Sequence, residues 1–168
     1  MGDAKKVNFG KKPDLEVVVY LDTSDPDNPQ VLSLEDEKGL DKANLPEHII
    51  KLVSKWKRSN WILQQLIEAN SFSEKLLNGR TQRFFDGNAM MQAQIRCLLV
   101  SWNLSEYDSD LTLSFSDSID NPKIKILDDK TMTKLGEISP PTLIADIHAR
   151  MILGSVIKNQ KTMESVKI

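Results

Sequence analysis

Apolar and polar positions alternate with different periods along this chain. Leu15 to Leu21 reads Leu-Glu-Val-Val-Val-Tyr-Leu, a β-branched and aromatic run that predicts a strand. The turn formers Asp22 to Pro29 follow, and Val31-Leu32-Ser33-Leu34 reads as a second strand pairing back as a hairpin. Val17, Val19 and Leu21 point to one face of the first strand, Val18 and Tyr20 to the other. Both faces are apolar apart from Glu16, and an isolated two-stranded hairpin is marginal in water. The chain's own helices are expected to cover one face. The second face, or the strand's free edge, is expected to meet another protein, unless the loop Asn103–Asp129 covers it.

Residues 46–70 carry apolar side chains at three- and four-residue spacing: Ile49, Leu52, Val53, Trp56, Leu63, Leu66 and Ile67. That stripe predicts a helix starting at Pro46, with a bend or break at Ser59-Asn60. Residues 72–79 read as a short helix ended by Gly79. From Asn88, a plausible cap, to Trp102, only Gln92, Gln94, Arg96 and Ser101 interrupt the apolar run, which predicts the central, most buried helix. Residues 103–129 are acidic and serine-rich, with alternation in Leu111–Phe115 and Ile124–Leu127 that permits short strands. A third helix is expected from Pro140-Pro141, with Leu143, Ile144, Ile147, Met151 and Ile152 as its stripe.

The expected fold class is α+β, mainly α: an N-terminal β-hairpin packed on a bundle of three or more helices. Its expected core is Leu52, Val53, Trp56, Leu63, Leu66, Ile95, Leu98, Leu99, Trp102, Leu143, Ile147 and Met151. Residues 1–13 are expected to form a flexible tail, 14–157 a single globular domain, and 158–168 a flexible C-terminal tail.

The length of 168 residues suits one domain. Twenty-two basic and 24 acidic residues leave a net charge of −2, which lacks the basic footprint of a nucleic-acid binder. The single cysteine, Cys97, excludes an internal disulfide framework and a thiolate zinc cluster, and its apolar setting suits an inert buried thiol. The N-terminus lacks an apolar core of signal-peptide length, and no apolar window is long enough to span a membrane. A soluble, cytosolic protein is expected.

Candidate chemistry is sparse. His48 and His148 are the two histidines, and Asp146, two positions from His148, does not share its helical face. Glu106, Asp108, Asp110, Asp117 and Asp120 lack the glycine and closing glutamate of a calcium loop, and read as a solvated acidic loop. There is no G-x-S-x-G, Walker or G-x-G-x-x-G pattern. Trp56-Lys57-Arg58-Ser59-Asn60-Trp61 interleaves aromatics with bases, as single-strand binders do. The helical reading uses Trp56 in the core and turns the bases to water. No catalytic residue, cofactor or metal ligand is expected. The chain reads as non-enzymatic, acting through contacts for which Val18, Tyr20 and Trp61 are the candidate residues.

The segment Cys97-Leu98-Leu99-Val100-Ser101-Trp102-Asn103-Leu104-Ser105-Glu106-Tyr107-Asp108 is the most distinctive. On its own, Trp102-Asn103-Leu104 reads as a helix terminator with an aromatic anchor, Asn103 taking left-handed backbone. The segment also resembles a pattern in small tail-morphogenesis proteins of tailed bacteriophages, in which an apolar helix ends in Trp-Asn-Leu and enters an acidic loop. The resemblance implies a tail assembly chaperone that binds tape-measure and tail-tube proteins in the host cytoplasm. Homo-oligomers are expected, and neither nucleic acid nor membrane is an expected partner. One alternative is a structural protein retained in the virion, its hairpin adding to a neighbour's sheet. A second is a small cytosolic enzyme whose site the sequence hides.

Overall fold

A strand that is apolar on both faces needs a sheet around it, and this chain builds one. A computed structural model describes residue 10 and residues 12–166. The tail expected over residues 1–13 lies largely outside the described residues. Strand β1 (Leu15–Asp22) pairs antiparallel with β3 (Ile49–Trp56) in a continuous ladder from Leu15 opposite Trp56 to Asp22 opposite Ile49. On its other edge β1 meets β2 (Gln30–Val31) only at Leu21 and Asp22. Strand β6 (Leu99–Trp102) pairs with the far edge of β3, with a bulge at Lys55–Trp56. The sheet order is β2-β1-β3-β6.

The single helix expected over 46–70 is therefore two elements, β3 and a helix α2 (Trp61–Ala69). Ile49, Leu52, Val53 and Trp56 fit a helical stripe, but the same stretch alternates. Ile50, Leu52, Ser54 and Trp56 share one face, and Ile49, Lys51, Val53 and Lys55 the other. The β-branched Ile49, Ile50 and Val53 favour the pleated form, and the unpaired edge of β1 settles the choice. Asn60 caps α2, its side chain accepting from the Leu63 N–H at 2.9 Å.

The long helix expected to end at Trp102 stops at Leu98. Helix α3 (Gly87–Leu98) is capped by Asp86, not Asn88, and Leu99-Val100 continue directly as β6. Residues 72–79 are not helical. They contribute β4 (Phe72–Leu77), which pairs with β5 (Arg80–Phe85) as a separate two-stranded hairpin. A short helix α1 (Leu34–Lys38) follows β2. The acidic segment holds a second small pair, β7 (Phe115–Asp117) with β8 (Lys125–Leu127). Helix α4 (Asp129–Gly136) is capped by Asp128, whose carboxyl is held below the usual range by the Thr131 backbone N–H and hydroxyl. Helix α5 (Thr142–Val166) runs past Lys158, where the globular domain was expected to end. With five α-helices and eight strands among the described residues, the fold is a balanced α+β arrangement around a four-stranded sheet. The expectation of a mainly α fold, a hairpin set on a helical bundle, is corrected accordingly.

One contiguous core joins the sheet to the helices. Leu15, Val17, Val19 and Leu21 of β1 and Leu52 and Trp56 of β3 lie in it, together with Leu143, Ile147 and Met151 of α5. Of the expected core residues, all are buried except Val53, which sits half-exposed on the opposite face of the sheet. The buried indole of Trp56 donates to Ser54 Oγ at 2.8 Å, so no polar atom is stranded. Arg150 of α5 pairs with Glu37 of α1 at 3.0 Å and donates to the Leu32 carbonyl at 2.8 Å, both side chains largely enclosed. That contact ties α5 to the end of the β2 edge.

Trp102-Asn103-Leu104 is a sheet-closing device rather than a helix terminator. Trp102 is the last residue of β6, and its indole donates to the Leu111 carbonyl at 2.8 Å, drawing the acidic loop against the sheet. Asn103 extends the ladder with its side chain: Oδ1 accepts from the Val53 N–H and Nδ2 donates to the Lys51 carbonyl, both at 2.9 Å. Its backbone is not left-handed, with φ at −96°. Leu104 is buried beside it.

Emptying the Trp102 site by Trp102→Ala is expected to cost about 3–5 kcal/mol in a denaturant titration. A loss under about 1 kcal/mol would place this side chain outside the core. Asn103→Ala is expected to cost about 1–3 kcal/mol, because two backbone groups of β3 lose their partner.

Candidate protein-docking surface

The β4–β5 hairpin is built by its turn. Asn78 and Gly79 both have positive φ, +51° and +74°, the combination that a two-residue type I′ connection requires. Asparagine tolerates this region and glycine adopts it freely. The register runs from Leu77 opposite Arg80 at the tip to Phe72 opposite Phe85 at the base. At the base, the Asp86 N–H donates to the Ser71 carbonyl at 2.8 Å, and the Ser71 hydroxyl to the Ile67 carbonyl at 2.6 Å, so α2 and α3 hold both ends.

Phe72, Glu74, Leu76, Thr81, Arg83 and Phe85 share one face of the hairpin. Phe72 and Phe85 meet edge to face with centroids 6.1 Å apart, and the Arg83 guanidinium lies 4.9 Å over the Phe72 ring. On the other face, the Lys75 ammonium lies 5.9 Å over Phe84. Such contacts contribute about 0.5–1.5 kcal/mol each at best, and they fix the shape of the arm without burying it. Every residue of the two strands is exposed except Ser73, which is half-buried. Leu76 is 73% exposed and Phe85 62%. Lys75, Arg80 and Arg83 outweigh Glu74, so the arm is cationic on a chain whose net charge is −2. Apolar side chains clustered this openly mark an interaction surface.

The residues singled out from the sequence are dispersed. Tyr20 is 5% exposed, with the Lys42 ammonium 5.8 Å over its ring, and Val18 is half-buried on the same strand face. Trp61 is 74% exposed at the first turn of α2, with Ile62 beside it, at the far end of that helix from the hairpin. Trp102, Asn103 and Leu104 close the sheet as described. The mixed aromatic and basic run at 56–61 does not present two rings, because Trp56 is in the core. Arg58 there donates to the Pro13 carbonyl at 2.9 Å and Lys57 to the Lys125 carbonyl at 2.7 Å.

Chemistry is no better assembled. His148 is half-buried, its Nε2 2.7 Å from Gln94 Oε1. Cys97 is buried, and burial pushes its thiol up. It borders a cleft of about 410 Å³ between α3 and the loop at 116–120, where Arg96 pairs with Asp129 and Lys125 with Asp117. Among the described residues, no group of three or more His, Cys, Asp or Glu is placed to hold a metal ion, and no helix is long and apolar enough to cross a membrane. No family model matches the chain, and neither a curated protein nor a solved structure matches it.

The hairpin expected as a short helix over 72–79 carries a local sequence signal of its own. Asn78-Gly79, between Phe72–Leu77 and Arg80–Phe85, is the strongest short-range hairpin signature there is. Gly79 alone fits a helix stop; with Asn78 before it, the pair specifies the two-residue turn.

Burial lowers the pKa of His148, so the unfolded chain takes up a proton before the folded one does. Stability is expected to be complete above the ordinary histidine value of about 6.5 and to fall as pH drops below it. The urea midpoint of the protein should fall more between about pH 7.5 and 5.5 than that of His148→Gln. Parallel curves would show that His148 does not contribute.

Proposed function

We propose that this protein is a non-catalytic assembly factor that binds other protein chains through the β4–β5 hairpin. The observation that carries this reading is the hairpin itself: a cationic, aromatic arm exposed along both strands, held rigidly at its base by α2 and α3. An arm with two open edges and apolar side chains suits clients that offer apolar or extended surface. Tailed-phage tail assembly as the setting rests on the sequence likeness of Cys97–Asp108 alone, since the helix here stops at Leu98 and Trp102-Asn103-Leu104 closes the sheet. The clients are then the tape-measure and tail-tube proteins, and the activity is that of a tail assembly chaperone. Shielding of apolar surface on the client is the mechanism, and no bond is made or broken.

Leu76→Lys with Phe85→Lys places two charges on one face of the arm. Both positions are exposed, and the ring contact given up is that of Phe85 with Phe72, so unfolding stability should change by no more than about 1.5 kcal/mol. Binding to tape-measure and tail-tube proteins should weaken at least about tenfold by calorimetric titration, in the range for interface anchors. Unchanged binding would overturn the assignment of this surface.

A further inference from the structure

We infer that the hairpin tip of one copy docks into an acidic-rimmed apolar groove on a second copy of this chain. The inference rests on the reading of β4–β5 as a docking arm and names a partner for it. The groove, about 450 Å³, lies where the loop 23–29, the two 3₁₀ turns at Leu104–Glu106 and Ser109–Leu111, and the start of α5 converge. Ile50, Leu104, Tyr107, Leu111 and Ile138 form its apolar walls, with Tyr107 56% exposed. Asp108 and Asp110 stand on its rim, while Glu137 there already faces Lys134 at 3.9 Å.

The two surfaces are complementary in kind. The tip offers Leu77 with Lys75 and Arg80 on one face and Leu76 on the other, and the groove offers apolar walls with Asp108 and Asp110 on its rim. Apolar groups flanked by cations meet apolar walls flanked by carboxylates, which fixes orientation as well as attraction. No residue of β4 or β5 lines the groove, so a copy does not fill it with its own arm. Hairpin and groove are different patches, which makes the contact heterologous. A nucleic acid is the less suitable occupant of the tip, because Leu76 and Leu77 there give a base no ring to stack on, and the three rings, Phe72, Phe84 and Phe85, lie towards the base of the arm.

The test is mass in solution by light scattering, with two variants. Leu76→Asp with Arg80→Glu removes the arm, and Tyr107→Ala with Asp110→Lys removes the groove; circular dichroism and a thermal melt verify that each stays folded. The protein should self-associate at about 100 µM, dissociate on about hundredfold dilution, and associate less in high salt. Each variant alone should be monomeric. Mixed in equal amounts, they should form a one-to-one dimer, because one intact arm and one intact groove remain. A protein that stays monomeric at the highest concentration overturns the inference, as does a groove variant that still associates. So does an arm that binds mixed-sequence DNA while the protein stays monomeric. Loss of client binding by the arm variant in a monomeric protein leaves the docking-arm reading intact and removes only the second copy as partner.

Discussion

The antiparallel pairing of β1 with β3 is the interaction on which the rest of the structure depends. It places Leu15, Val17, Val19 and Leu21 beside Trp56, Ser54, Leu52 and Ile50 on one face, and that face is the floor of the core. Helix α5 packs Leu143, Ile147 and Met151 into the same core, and β6 extends the ladder so that Asn103 finishes it with a side-chain amide. The acidic segment is then held by the Trp102 indole bond to the Leu111 carbonyl, by Lys57 and Arg96 donating to the Lys125 and Leu127 carbonyls, and by the Ser114 N–H donating to the Thr131 hydroxyl. Without β3 as a strand, β1 would have no partner beyond two residues of β2.

Two classes of surface follow from this arrangement. The sheet and its helices bury nearly all of the strong apolar positions of the central segments. The connection between α2 and α3 does not fold back onto that core. It leaves as the β4–β5 arm, whose turn, register and cross-strand rings are locally well specified and whose side chains are open to solvent. A segment with ordered backbone and unburied apolar groups gains its remaining stabilisation from whatever it touches. That separation between a self-sufficient core and an unsatisfied arm is the physical basis for reading the protein as one that works by contact.

Burial was more legible in the sequence than secondary structure. Leu52, Trp56, Leu98, Leu99 and Trp102 are core residues whether their segments are helical or extended, because apolarity sets burial and period sets the element. The period misled where a run was apolar on several sides. Ile49–Trp56 satisfies spacings of both three to four and two, and Leu99–Trp102 continues an apolar helix without any polar break. In each case the deciding fact was an available strand edge, which is a long-range property that no local window contains. The candidate contact residues suffered from the same limit. A two-stranded hairpin leaves the Val18 and Tyr20 face free, whereas β1 is interior to a larger sheet and Tyr20 is covered. The arm, by contrast, was locally encoded in Asn78-Gly79.

The central claim is that fold and binding reside in separable parts, and excision of the arm tests it most directly. Ser71 and Asp86 are already joined by a backbone hydrogen bond of 2.8 Å, so a short glycine link can replace residues 72–85 without moving α2 or α3. The account predicts a shortened protein that melts cooperatively within a few degrees of the full chain, with its sheet amides still protected from exchange, and that no longer binds the client proteins the arm engages, while its groove still accepts the arm of a full-length copy. A shortened protein that fails to fold, or that folds and binds as before, would contradict it.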